Sequence, residues 1–297
     1  MLNVAVNPAK VPTLPVEKST GYWKNVGQRF MRDRVAVFAA IVILLLLAMA
    51  VFGSYIAPYD PFASSIMKRL KPIGFTGHIL GTDELGRDML SRLIVGTKLS
   101  LFMGITPVVC AFVIGSVIGI VAGYAGGAVN TVIMRTIDVF YAFPSVLLAI
   151  ALSGVLGAGI TNSLISLTIV FIPPIARVAE SVTTQIRSRD YVDAARASGA
   201  DAFTIVRVHV LGNVLGPIFV YATSLIAVSM ILASGLSFLG LGVKPPEPEW
   251  GLMLNTLRTA IYVQPWIAAL PGVMIFVTSI AFNLLSDGLR TAMEIKN

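Results

Sequence analysis

Six apolar stretches, each close to the length that crosses a lipid bilayer as a helix, constrain this chain more than any other feature. They fall at residues 35–56, 101–124, 137–157, 160–176, 215–236 and 266–285. A helix rises about 1.5 Å per residue, so some 20 apolar residues span about 30 Å of hydrocarbon. Pro58 and Pro61 stop the first stretch, and the pair Pro173-Pro174 is expected to kink or end the fourth. The second carries Gly115, Gly119 and Gly123 at four-residue spacing, a ridge on which another helix, from this chain or another subunit, can approach closely. Composition agrees with a polytopic membrane protein: 56% of residues are hydrophobic, only 12% are charged, and the mean hydropathy is +0.84.

Topology follows from the basic residues. With six spans both termini lie on one side, and fourteen of the 22 Lys and Arg fall on that side: in the tail up to Arg34, at Arg135, in the 177–207 region and at the C-terminal end. The positive-inside rule makes that side cytoplasmic. The net charge of +7 is therefore a topological signal, and no aromatic side chains interleave with the basic ones to suggest nucleic-acid binding. Residues 1–34 read as a cytoplasmic N-terminal tail, its first twenty residues polar enough for disorder. The region 35–98 reads as first span plus external segment, 99–290 as transmembrane core, and 291–297 as a cytoplasmic C-terminal tail. Ala48-Met49-Ala50 has the look of a signal cleavage site, but the apolar run around it starts too late and is too long for a signal peptide, so it is read as a retained span.

Chemistry is sparse. The lone Cys110 cannot form an intramolecular disulfide, and His78 and His209 are far apart and assigned to opposite sides of the membrane. No metal site, no Ser-His-Asp arrangement and no GxxxxGK[ST] phosphate loop is expected, so a catalytic role is not. No isolated carboxylate lies near a span midpoint, where ion-coupled transporters place their coupling sites. Arg135 and Asp138 are three residues apart and can pair on one helix face.

The one long polar interruption between later spans is QIRSRDYVDAARASGADAFTIVRVHVLGN, residues 185–213. Asp190 is placed to cap a helix and Asp193 to complete a capping-box-like pair. Gly199 is placed to end that helix, and Asp201 to cap a second one bearing Phe203, Val206 and Val210. Too polar to cross, this helix pair lies at the cytoplasmic surface, either as a docking element or as an ordinary interfacial helix.

The pair resembles the "EAA" loop of bacterial ABC importer permeases, with Asp193, Ala194, Ala195, Gly199, His209, Leu211 and Gly212 at its positions. Asp stands for the usual Glu, His209 for Ile, and Gly212 for proline, which suggests a looser exit from the second helix. Three more segments resemble permeases of the dipeptide/oligopeptide/nickel importer family, in its shorter C-type. They are LGTDELGRDMLSRLIVGTKLSL (80–101), GYAGGAVNTVIMRTIDVFYAFPSVLLAI (123–150) and LSFLGLGVKPPEPEWGLML (236–254). The first supplies Gly81, Thr82, Asp83, Gly86, Arg87, Asp88, Ser91, Arg92 and Gly96. Its Asp83, Arg87, Asp88 and Arg92 can form a salt-bridged helix start at the outer surface, setting the angle of the second span or serving substrate access. In the third, residues 245–250 read as a stiff external segment that either faces a docking protein or braces the outer rim, the brace being favoured.

The resemblance implies an all-α integral membrane fold of six transmembrane helices, type I importer permease-like, with a cytoplasmic coupling helix pair. It also implies heterodimerisation with a second permease, two separate ATPase subunits that bind ATP and Mg, and an extracytoplasmic substrate-binding protein, all in the bacterial inner membrane. Asp190, Tyr191, Asp193, Ala194, Ala195, Gly199, Ala200 and His209 would then form the ATPase-coupling loop. Implied cargoes include dipeptides, oligopeptides, glutathione, nickel chelates, and sugar or opine conjugates. The competing readings are an ion-coupled secondary transporter of small solutes and a membrane-embedded enzyme or scaffold.

Overall fold

A computed structural model describes residues 22–293; the expectations for residues 1–21 and 294–297 lie outside that range. The described chain is helical apart from loops and two isolated β-bridges. Helix α1 (Tyr22–Arg32) is followed after Asp33 by α2 (Arg34–Ile56), with the Asp33 carboxylate accepting the N–H groups of Val35 and Ala36. Residues 22–32, expected as tail, thus form a helix, which packs against the last span. Gly288 there leaves room for Ala36 and Phe30. The external segment 57–88 leads into α3 (Met89–Ala125), α4 (Gly127–Tyr141), α5 (Ser145–Leu156) and α6 (Ile160–Arg187). The polar loop holds α7 (Asp190–Ala197) and α8 (Ala202–Ile205). A wide π turn at Val206–Val210 passes directly into α9 (Leu211–Phe238). Helix α10 (Trp250–Thr256) and α11 (Pro265–Met293) complete the chain.

Among the described residues, five helices are long and apolar enough to cross a membrane: α2, α3, α6, the run Ala202–Phe238, and α11. The straight span expected at 137–157 is absent: in its place α4 and α5 form a pair bent by 86° at residues 142–144, which makes a sixth crossing if the pair is one broken span. Pro144 forbids the residue before it an easy α conformation and removes an N–H, so the ladder breaks although apolar side chains run through without interruption.

Two other expectations change. The second span begins at Met89 rather than near residue 101, running through the boundary placed at 98. At 37 residues it is about 55 Å long, far more than the hydrocarbon thickness, so its first turns stand outside the bilayer. The fourth does not end near residue 176, because α6 continues through Pro173 and Pro174 to Arg187. Helix α3 packs along it at backbone contact: a Cβ on Gly119 would lie 2.3 Å from the Ala176 carbonyl oxygen, and one on Gly123 2.7 Å from that of Glu180. The glycine ridge is thus an intrachain interface, seating α3 on α6 at backbone contact.

The interior consists of two apolar clusters. One joins α3, α6 and α9 through Met103, Leu167, Ile175, Val214 and Ile218. The other joins α2, α3, α10 and α11 through Met89, Trp250, Met253 and Ile267. Outside them the bundle exposes Phe38, Leu44, Val117, Phe219, Ile231 and Phe276, a surface suited to lipid or an apolar partner and not to water.

Candidate functional site

Two polar constellations sit at opposite ends of the bundle. At one end α6 passes through Ser188 and Arg189 into α7. Arg189 occupies the N-cap position without a side-chain hydrogen bond, and Asp190 is the first helical residue, so the expected capping box does not form. Asp190 still lies where the helix dipole favours an anion. Asp193 pairs instead with Arg196 at 2.9 Å, both exposed. The one buried side chain of α7 is Val192, which plugs into the α3–α6–α9 core.

The end of α7 is closed by a Schellman turn. Gly199 has φ +86°, its N–H bonds the Arg196 carbonyl (3.0 Å), and the Ala200 N–H bonds the Ala195 carbonyl (3.1 Å). Ala195 and Ala200 are both partly buried against the core. Ala194 accepts both the N–H (3.0 Å) and the hydroxyl (2.9 Å) of Ser198. Asp201 precedes α8 and accepts the Thr204 hydroxyl, which holds its pKa below the ordinary aspartate value.

His209 lies in the π turn, its ring centroid 6.2 Å from that of Tyr191. The chain therefore returns to α7 from eighteen residues on. The looser exit expected at Gly212 is absent: with a donating N–H there in place of proline, helix runs unbroken from Ala202 to Phe238. What the loop presents outward is Tyr191, Phe203 (72% exposed), Val208 and the charges of Asp190, Asp193 and Arg196. This is a short, closed helix anchored at one buried point, with unpartnered apolar side chains at its tip.

At the other end the 80–101 motif forms a buried polar network. The Asp83 carboxylate accepts the N–H groups of Leu85 (2.8 Å) and Arg87 (2.9 Å) and the Arg87 guanidinium (2.6 Å), and lies 3.4 Å from Arg92. Asp88 caps α3 by accepting the Ser91 N–H (2.8 Å) and hydroxyl (2.7 Å), and also binds His78 Nδ1 at 2.9 Å. Ser91 accepts the Tyr59 N–H, and Arg92 donates to the carbonyls of Pro61 (2.9 Å) and Pro246 (3.4 Å). Thr82 accepts the Lys71 N–H and donates to the Lys68 carbonyl. Gly81 and Gly86 have positive φ, and a Cβ on Gly86 would lie 1.9 Å from the Ser65 carbonyl oxygen.

This network ties 57–88 and 245–250 to the head of α3, while the buried Nε of Arg92 makes no hydrogen bond. A position in the network for His78 was not legible, because its partner Asp88 is ten residues away on another turn. In the 245–250 brace, Glu249 caps α10 with both oxygens, accepting the Gly251 and Leu252 N–H groups at 2.8 Å each. Its burial raises its pKa, against the pull of those two bonds. Trp250 beside it is fully buried and donates to the Leu93 carbonyl at 3.1 Å.

Between the two ends, a cavity of about 320 Å³ opens at the α4–α5 elbow, lined by Tyr141, Phe143 and Ser145 with Pro173 and Pro174 of α6 and Tyr221 of α9. Asp138 does not pair with Arg135 as expected. Its partner is Arg177 of α6, whose guanidinium also lies 5.0 Å from the Tyr141 ring centroid.

The family model described as "Binding-protein-dependent transport system inner membrane component" matches residues 115–296, and one described as "N-terminal TM domain of oligopeptide transport permease C" matches 21–72. Among curated proteins, the "Glutathione transport system permease protein GsiD" of Pectobacterium atrosepticum is 41% identical over 291 residues, covering 97% of both chains. The protein of that name from an Escherichia coli O6:K15:H31 strain is 42% identical over 274 residues, covering 92% of this chain and 90% of that one. Among solved structures, an inward-facing conformation of the MetNI methionine ABC transporter matches at TM-score 0.57 and 19% identity, covering 70% of this chain and 98% of that one. An amino acid ABC transporter with histidines matches at TM-score 0.51 and 16% identity, covering 66% and 91%. At those identities the structures speak for the fold alone, which is that of type I ABC importer permeases.

Proposed function

Because this chain belongs to the family of binding-protein-dependent transport system inner membrane components, we propose that it is the C-type permease of an importer for short peptides. Its chemistry is passage, not catalysis. It pairs with a second, related permease, and two ATPase subunits bind ATP and Mg and supply the energy. An extracytoplasmic binding protein delivers cargo to the end carrying the Asp83–Arg92 network. Both termini and α7 face the cytoplasm. In the chain's division the external segment ends at residue 88, and the transmembrane core runs from there to about 290, interrupted by the coupling loop 185–213.

The observation that carries this reading is the build of α7. A helix of eight residues is marginal in water, yet this one is closed at its far end by Gly199 and pinned by buried Val192. Only two residues separate it from the 28-residue α6. Such a piece transmits displacement rather than absorbing it. An ATPase surface that binds Tyr191, Asp190 and Phe203 differently in its open and closed forms shifts the permease between inward- and outward-facing states; without that difference it shifts nothing. The relatives' glutathione cargo points to γ-linked and ordinary short peptides as substrates. An elbow cavity lined by aromatic rings and three hydroxyls accommodates amide chains of that size.

The test is uptake of radiolabelled glutathione and dipeptides into proteoliposomes holding the purified complex, with ATP or with an ion gradient as the energy source. Uptake that needs ATP and the binding protein, and survives collapse of the gradient, is expected. Uptake driven by the gradient alone makes the chain a secondary transporter. A preparation that yields neither an ATPase nor a second permease overturns the proposal altogether.

A further inference from the structure

Two breaks in the helix ladder face each other across the elbow cavity. In the α4–α5 pair the break is Ala142–Phe143–Pro144. In α6 it is Pro173-Pro174, which leave the carbonyls of Ile169 and Val170 without their usual helical donors. Phe143, Ser145, Pro173 and Pro174 all line the same cavity. On the side toward α7, α4 is bolted to α6 twice. Asn130 donates to Glu180 at 2.7 Å, and Asp138 pairs with Arg177, which Tyr141 also holds through its ring.

The two ties lie eight residues apart on α4 and three apart on α6, so α4 is fastened at two points to the α7-proximal half of α6. Gly119 and Gly123 seat that same half on the end of α3.

From this arrangement we infer that α4 and the α7-proximal half of α6 move as one lever, pivoting at residues 142–144 and 173–174, with Asp138 and Arg177 as the positioning residues that bind lever to cavity. Displacement of α7 passes into lower α6, through the Asp138–Arg177 and Asn130–Glu180 ties into α4, and so into Tyr141 and Phe143 at the cavity wall. The inference deepens the proposed function and rests on α7 being the driven element. A break without the ties lets α6 move and leaves the cavity wall behind.

The test has two arms in the assembled complex, with Cys110→Ser as background. In the first, nitroxide labels at Val132 on α4 and Val155 on α5, both exposed, report across the elbow with and without trapped ATP. A rotation of about 15° about residues 142–144 moves Val132, ten residues or about 15 Å from that pivot, by about 4 Å, so a shift of that order is expected. A label pair at Val132 and Gln185, within the lever, should stay fixed. An unchanged elbow distance, or a lever pair that shifts as much as the elbow pair, overturns the inference. This arm needs ATP binding but no cargo, so it decides the lever even where the peptide assignment fails.

In the second arm, Asp138→Asn and Arg177→Ala are each expected to lower peptide uptake per ATP hydrolysed at least tenfold, with the ATPase still co-purifying. The exchanged pair Asp138→Arg with Arg177→Asp should recover most of it. Single variants that couple normally, or an exchanged pair no better than the singles, refute the role of the ion pair.

Discussion

Replacing Gly199 isolates the backbone of the proposed coupling loop from everything else, because an added Cβ there meets no atom within 4 Å. Its φ of +86° costs an L-residue about 1–2 kcal/mol, so Gly199→Ala should weaken closure of α7 by about fivefold to thirtyfold. Asn tolerates this region better and should fall nearer to wild type. Pro is excluded outright: its ring fixes φ near −65°, and it lacks the N–H that binds the Arg196 carbonyl at 3.0 Å. That bond contributes about 1 kcal/mol more, and the Ala200–Ala195 bond beside it goes as well. ATP-dependent uptake and binding-protein-stimulated ATP hydrolysis in proteoliposomes should decline in the order Gly, Asn, Ala, Pro. Membrane insertion should stay unchanged, since the site is exposed and lies outside the apolar spans. Charge reversal at Asp193 is the companion: its exposed pair with Arg196 adds little to stability, so lost uptake there reports docking rather than folding. Wild-type uptake by Gly199→Pro would show that α7 needs no defined end, and the argument that it transmits a rigid displacement would fail.

Three further outcomes are expected. Asp83→Ala leaves the buried guanidinia of Arg87 and Arg92 without their carboxylate. It should cost about 3–5 kcal/mol and lower the unfolding midpoint in detergent by about 10 °C; an unmoved midpoint would mean the network is not structural. Burial raises the Glu249 pKa, so its neutral form is the one the fold prefers. Stability is full below the ordinary glutamate value of about 4.3 and is lost as pH rises through the raised value. Glu249→Gln should flatten that pH dependence, and parallel curves for the two proteins would contradict it. With Cys110→Ser as background, an impermeant thiol reagent applied from outside should label Glu247→Cys and not Ser198→Cys, both sites being exposed; the reverse pattern inverts the topology.

The spans were legible because apolarity over twenty residues is a strong signal; what lay beyond them depended on contacts between distant residues. Helix α3 begins twelve residues before its apolar run because Arg92, which marks that stretch as loop by hydropathy, is buried under Pro61 and Pro246. The elbow was readable in principle from Phe143-Pro144, since the residue before proline resists the α conformation, but unbroken apolarity concealed it. Pro173-Pro174 misled in the other direction: transmembrane helices tolerate proline where neighbours pack closely, and here the neighbour is the glycine ridge of α3. Asp138 is three residues from one arginine and 39 from another, and it binds the distant one; no spacing rule reaches that far. In the polar loop, Gly199 could be read from its residue type alone. The Tyr191–His209 contact could not, because it needs the π turn that brings the chain back.

The account stands on α7 and the turn after it being the surface that an ATPase grips. A photo-crosslinking amino acid at Tyr191 or Phe203, in a complex that hydrolyses ATP, should yield an adduct containing the ATPase subunit. The same group at Tyr262, 90% exposed at the opposite end, should yield none. An ATPase adduct at Tyr262, or none at both Tyr191 and Phe203 while the complex remains active, would contradict it.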